Sequence, residues 1–159
     1  MTTWLEPRLR LALDRFLLAQ PFYPCCLLVH ASVARLAEIG DALASIYAWP
    51  SVSLGDLLAG DLLPVPLDRR PTIARDLLMA DARNHGPGPR LYVDTDILFE
   101  PSLRLDPLRL LLDASRHTRL VVTWPGAWSG GVLTYAEPAH AHYRSWQTPG
   151  LCQDCIITV

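Results

Sequence analysis

Cys25-Cys26-Leu27-Leu28-Val29-His30, entered through Pro24 and left through Ala31-Ser32-Val33-Ala34-Arg35-Leu36-Ala37, is the stretch that decides the fold. Five apolar residues in succession are too few for a buried helix, and as a strand they are apolar on both faces. That pattern belongs to a central strand of a parallel sheet, covered on both sides. Ser32 then stands where a helix needs its N-cap, and Val33, Leu36, Ala37, Gly40, Leu43, Ala44 and Tyr47 recur on one helical face that closes before Trp49-Pro50. A buried strand followed at once by an amphipathic helix opens an α/β chain.

Outward from this pair the alternation continues. Leu5, Leu9, Ala12, Leu13 and Phe16 predict a preceding helix, opened by Thr3 and Glu6 as a capping box and ending near Gln20-Pro21. Downstream, Ser51-Val52-Ser53-Leu54 predicts a short strand and Leu57, Leu58, Leu62 and Leu63 a helix. The Pro-rich stretch Pro64 to Pro71 is expected to be a mobile loop. Thr72 to about Asn84 is helical by the spacing of Ile73, Leu77 and Ala80, and His85-Gly86-Pro87-Gly88-Pro89 stops it. Arg90-Leu91-Tyr92-Val93-Asp94 is the strongest strand, running into Thr95-Asp96-Ile97-Leu98-Phe99. Asp106 caps a helix with Pro107 in its first position, Leu108, Leu111 and Leu112 inward, and Arg109 and Asp113 paired on the wet face. Arg119 to Trp124 predicts a buried strand stopped by Pro125-Gly126. Ser129-Gly130-Gly131 turns the chain into a strand Val132–Tyr135, Pro138 opens a short helix that includes Tyr143 and Trp146, and Cys155 to Val159 closes as a strand. The expected fold is α/β and three-layered, a mainly parallel sheet flanked by helices in a single domain, 1–159.

Composition narrows the chemistry. Of 159 residues 50% are apolar and 19% charged, enough for a core that needs no disulfide or metal staple. All 14 basic residues are arginine, which excludes a Schiff-base enzyme and a conventional lysine phosphate clamp. Sixteen acidic residues bring the net charge to −2 with the signs interleaved, so direct nucleic-acid binding is not expected. Glu6 and Pro7 interrupt the place where a signal peptide would be apolar, and no apolar run has membrane-spanning length. A cytoplasmic protein with buried thiols at Cys25, Cys26, Cys152 and Cys155 is the corresponding expectation.

In open α/β sheets ligands sit at the carboxyl ends of the strands, which directs attention to Asp94 and Asp96. If the strand continues through Asp96, both carboxylates fall on one side, as a magnesium site would need; otherwise Asp94 caps the turn and Asp96 is solvated. Asp94 is the metal-ligand candidate, and Asp94, Asp96 and Arg35 are the candidates for holding a cofactor. Arg35 either meets a phosphate at the helix start or faces solvent beside it. His30 either serves a strand-end site or caps. His140, His142, Cys152 and Cys155 together offer a zinc donor set, against a reading of Cys155 as a buried strand residue. Trp128-Ser129-Gly130-Gly131 lacks the leading glycine of a nucleophile elbow. Trp124, Trp128, Tyr135, Tyr143 and Trp146 read as core or lid packing, with any exposed subset a partner surface.

From Arg90 to Trp146 an ordered series of uncommon tokens carries a resemblance: Val93-Asp94 with Ile97-Leu98-Phe99, Pro101-Ser102-Leu103, Asp106-Pro107-Leu108-Arg109-Leu110-Leu111, Ser115-Arg116, Val121-Val122 with Trp124 and Gly126, and Leu133-Thr134-Tyr135-Ala136-Glu137-Pro138 with His140 and Tyr143. This series resembles BrxF, the small P-loop-type component of type III BREX anti-phage defence systems. Cys26-Leu27-Leu28-Val29 and the region from Leu57-Leu58 to Arg69-Arg70-Pro71 are similar more loosely. The resemblance implies a P-loop NTPase (AAA)-like fold, Asp94 as the Walker B acid, and partners among other BREX proteins such as the ATPase and methyltransferase subunits. Family members carry a Gly-rich Walker A loop after the first strand. Here His30 to Ala37 has neither the glycines nor the lysine, and Thr95-Asp96 is not a hydrolytic glutamate.

The expected function is therefore a non-catalytic P-loop-like subunit of a BREX-type defence system, without a cofactor, acting through protein-protein interaction and possible as a homo-oligomer. One alternative is a nucleotide-binding regulatory domain that holds ATP and magnesium weakly without hydrolysis. Another is a nucleotide-sugar transferase-like enzyme reading Asp94-Thr95-Asp96 as a DxD signature.

Overall fold

The computed structural model describes residues 4–86, 88–136, 140–147, 149–151 and 153–159. The decisive stretch is a strand, β1 (Cys25–His30), and it lies inside the sheet. Its neighbours are β4 (Leu120–Ser129) on one side and β7 (Ile156–Thr158) on the other, both parallel to it. Beyond β4 come β3 (Arg90–Val93) and β2 (Ser51–Ser53), giving the order β2-β3-β4-β1-β7 with every pairing parallel.

Strand alternation sorts the side chains into two cores. Cys26, Leu28, Leu91 and Val121 point to one face, covered by α1 (Pro7–Leu18) and α2 (Val33–Tyr47) through Leu9, Leu13, Phe16, Ile39 and Leu43. Cys25, Leu27, Val29, Tyr92, Leu120 and Val122 point to the other, covered by α3 (Leu54–Leu62), α4 (Arg70–Asn84) and α5 (Pro107–Ser115). The chain is thus α/β with a mostly parallel sheet flanked by helices, in three layers, as the run of apolar residues on both faces of β1 requires. Among the described residues no helix is long and apolar enough to cross a membrane.

Several local expectations hold in detail. Ser32 caps α2 by accepting the Arg35 N–H at 3.2 Å, and Asp106 caps α5 by accepting the Arg109 N–H at 3.1 Å. Arg109 pairs with Asp113 at 3.2 Å, and Arg75 shares that carboxylate at 3.0 Å. Cys25, Cys26 and Cys155 are buried; Cys152 lies outside the described residues.

Other expectations are corrected. The N-cap of α1 is Glu6, not Thr3, which lies outside the described residues; Pro7 in the first turn supplies the preset φ that starts the helix. The helix α4 begins at Arg70 rather than Thr72, because Pro71 likewise fits its first turn. Pro125-Gly126 does not stop β4. The strand runs on, leaves the parallel sheet after Pro125, and pairs antiparallel with β5 (Val132–Tyr135) from Gly126 to Ser129. Gly126 permits this because a Cβ there would overlap the Thr134 carbonyl oxygen. The short helix expected from Pro138 to Trp146 is replaced: Pro138 lies outside the described residues, and Arg144–Trp146 form β6, paired with β5.

Candidate functional site

The carboxyl ends of the parallel strands open onto a cleft of about 210 Å³, lined by Val33, Leu36, Ala37 and Asp41 of α2 with Val93, Asp94, Asp96 and Thr123. Gly40 sets the depth of this contact, since a Cβ there would sit 2.8 Å from the Val93 side chain. The structure therefore brings Asp94 and Asp96 to one cleft. It does so by a different route from the expected strand extension.

The strand β3 ends at Val93, and Asp94 adopts a left-handed backbone conformation, φ 53° and ψ 53°. The chain then enters a 3₁₀ turn from Thr95 to Phe99, so period-2 spacing does not relate the two carboxylates. Thr95 is buried and its hydroxyl donates to the Thr123 carbonyl at 2.6 Å, pulling the turn onto β4. Asp94 in turn reaches the start of α3. Its Oδ2 accepts from the Ser53 hydroxyl at 2.8 Å, while the Ser53 oxygen accepts the Asp56 N–H at 3.2 Å as the α3 N-cap. The carboxylate lies so close over Gly55 that a Cβ there would overlap it. A negative charge at a helix N-terminus is favourable, so Asp94 supports the start of α3 through Ser53, whereas at its own turn its side chain makes no capping hydrogen bond, so the expected turn cap is not what Asp94 provides.

Asp96 is half-buried, and its carboxyl is pushed up from the usual range by burial first and the Asp94 charge second. The Tyr135 phenol is raised by its own burial and by the charges of Asp96 and Glu100, which ties this acid electrostatically to the hairpin. Asp41 borders the same cleft, yet among the described residues no three His, Cys, Asp or Glu side chains are grouped to hold a metal ion.

Arg35 is not part of this cleft. Its guanidinium pairs with Glu38 at 3.3 Å and lines a separate groove of about 530 Å³ between the N-terminal ends of α1 and α2, beside β7. At the β1–α2 turn the Ser32 N–H donates to His30 Nδ1 at 2.8 Å, Ser32 accepts the Arg35 N–H, and the Leu36 N–H donates to the Ser32 carbonyl at 3.1 Å. No residue from His30 to Leu36 has positive φ, so the turn makes no cradle of converging N–H groups.

The C-terminal aromatics are mostly packing. Phe99 stacks on Tyr135 with centroids 3.9 Å apart and meets Trp124 edge-on at 4.9 Å. Trp124 is fully buried and donates to the Thr134 carbonyl at 2.9 Å, and Trp146 donates to Asp106 at 3.2 Å. His140 and His142 share a turn in which the His142 N–H donates to His140 Nδ1, and Cys155 is buried in the sheet core. The large exposed apolar side chains lie largely elsewhere: Trp4, Leu11, Leu18 and Phe22 at the N-terminal end. Two of them, Leu11 and Leu18, stand seven residues apart on α1, away from the buried Leu9, Leu13 and Phe16, a spacing readable in the sequence.

Comparison with known proteins leaves the class at the level of the fold: no family model, no curated protein and no solved structure matches the chain.

Proposed function

We propose that this protein is a non-catalytic, P-loop-like subunit of a BREX-type anti-phage defence system, acting through contacts with other proteins of that system. The observation that carries the non-catalytic part is the β1–α2 turn. In a phosphate-binding loop the N–H groups at the helix start face the ligand; here Ser32 and His30 take two of them for the turn itself.

The residues present do not fit ATP and magnesium. The turn is too short to wrap a phosphate chain, Arg35 lines a different groove from Asp94 and Asp96, and Asp94 holds the start of α3 through Ser53. The cleft, at about 210 Å³, is also below the roughly 300–1,000 Å³ of ordinary ligand pockets. The same engagement of Asp94 weighs against the nucleotide-sugar transferase alternative, whose DxD pair must converge on a diphosphate-bound cation. The defence role and the BREX ATPase and methyltransferase partners rest on the sequence resemblance.

Two measurements test the reading. Titration with Mg-ATP is expected to give no heat, no thermal shift and no phosphate release; a saturable shift at millimolar or lower ATP that is lost in Asp94→Asn overturns the non-catalytic assignment. Co-expression with the products of its neighbouring genes is expected to yield a stable co-purifying complex. A soluble, folded bait that captures none of them overturns the subunit role.

A further inference from the structure

The cleft at the carboxyl ends of β3 and β4 carries charge of one sign. Its polar lining is Asp41, Asp94, Asp96 and Thr123, and no arginine or histidine borders it. The larger groove beside α1 is different: there Arg8 and Arg35 stand among Glu6, Glu38 and Asp41, so its lining selects neither sign.

A second feature of the cleft is independent of the acids. Thr123 is only 2% exposed and follows Val121 by two residues on β4, which turns its side chain to the face covered by α2. Its carbonyl accepts the Thr95 hydroxyl, but among the described residues its own hydroxyl has no hydrogen-bond partner. Nor is that hydroxyl sealed in: the side-chain polar atom enclosed without a partner among the described residues is His85 Nε2. A buried hydroxyl left unbonded at the floor of a cleft costs stability unless something in the cleft bonds it.

The rest of the lining specifies what that something is. Asp94 gives Oδ2 to Ser53, and its side chain caps nothing in its own turn, which leaves Oδ1 open. Asp96 is half-buried nearby and the two charges repel, so a cation between them is favoured. Among the described residues no three acids converge as a metal ion needs, and Val33, Leu36, Ala37 and Val93 make the remaining wall apolar. A planar guanidinium meets these terms. It is weakly hydrated, its N–H donors can bridge two carboxylates and a hydroxyl, and its apolar stem suits Val33, which is 48% exposed on the rim. At about 210 Å³ the cleft has room for one such group and not for a nucleotide.

We propose that this cleft binds a guanidinium group, with Asp96, Asp94 Oδ1 and the Thr123 hydroxyl oxygen accepting from it and Asp41 at the rim. The group comes from an arginine of another protein or from a free alkylguanidine. The site goes beyond the subunit reading and does not depend on it.

Saturation-transfer NMR on the full chain, at constant ionic strength, tests this with propylguanidinium, propylammonium and a capped Gly-Arg-Gly peptide, with magnesium chloride as competitor. Propylguanidinium is expected to bind saturably, about tenfold or more tightly than propylammonium, and to withstand magnesium. Asp96→Asn is expected to weaken it about tenfold and Thr123→Val about threefold, while Glu38→Gln, in the other groove, leaves it unchanged. Both cleft variants remove a buried polar group that opposes folding, so both keep the fold, which circular dichroism checks. Peptide bound as tightly as propylguanidinium identifies an arginine side chain as the source; propylguanidinium bound with the peptide shut out identifies a free guanidine. No saturable binding of either, equal affinity for propylammonium, displacement by magnesium, or an affinity unchanged in both Asp96→Asn and Thr123→Val would overturn the proposal.

Discussion

The Ser53 hydroxyl donates to Asp94 Oδ2 at 2.8 Å, tying the end of β3 to the first turn of α3 across 41 residues of sequence. The acid that the sequence offers as a metal ligand is thereby a structural joint. Asp94→Ala is expected to cost about 1–2 kcal/mol, combining a lost hydrogen bond to a charged acceptor with a β-carbon left at positive φ without the polar side chain that tolerates it. Asp94→Asn should cost less. Chemical denaturation, read by the shift in midpoint at constant slope, checks both.

Gly55 and Asp94 should be coupled. Because a Cβ at Gly55 overlaps the Asp94 carboxylate, Gly55→Ala is expected to destabilise the wild-type chain. In an Asp94→Gly background the overlap is gone and the better helix propensity of alanine remains, so the same substitution should stabilise. A double-mutant cycle whose coupling is indistinguishable from zero would contradict this contact.

Asp96 should oppose folding at neutral pH. Burial and the Asp94 charge raise its folded-state pKa, so its contribution is most favourable below the unfolded value near 4 and is lost as pH rises through the folded pKa. Asp96→Asn is therefore expected to raise the Tm by a few degrees at pH 7 and to leave it unchanged below about pH 4. Thermal melts across pH 3–8 measure the difference.

Asp81 has the opposite sign. Burial alone would raise its carboxyl, but hydrogen bonds from Arg90, at 2.7 and 3.1 Å, and from Tyr92, at 2.8 Å, outweigh it and hold the carboxyl low. Its stabilisation is complete above the unfolded pKa near 4 and is lost as pH falls through the folded value. Asp81→Asn should destabilise at pH 7, on the order of 3 kcal/mol because Arg90 is left in a largely buried place without its partner, and should flatten the acid limb of the stability profile.

The buried cysteines should be inert in the folded protein. Burial and the nearby Cys155 push the Cys25 thiol far up, and Cys26 is equally buried. Peptide mapping after iodoacetamide treatment should find Cys25, Cys26 and Cys155 unmodified natively and labelled in denaturant.

The sheet was legible where burial on both faces leaves one solution, as in Cys25 to Val29 and Leu120 to Trp124, and the caps at Ser32 and Asp106 followed from local chemistry alone. Sequence patterns fail where a long-range contact overrides the local rule. Pro125-Gly126 reads as a stop, yet β5 approaches so closely that glycine is the residue the strand needs there. Asp94 reads as a strand continuation because nothing local reveals that Ser53 and the α3 N-terminus lie beside it. Arg35 and Asp94 are assigned to one site only if side-chain direction is ignored; α2 turns Arg35 into one groove while Asp94, at the end of β3, lines another.

One continuous strand, β4, belongs to the parallel sheet as far as Pro125 and to the antiparallel hairpin from Gly126 onward. The hairpin is thus mounted on the central sheet as a rigid cantilever, with buried Trp124 as its fulcrum and the Thr134 carbonyl as the pin. A load placed on β5 passes along the backbone into β4, which is paired with β1 from Leu120 to Pro125. Anything that grips the hairpin therefore pulls directly on the strand beside which the β1–α2 turn is set.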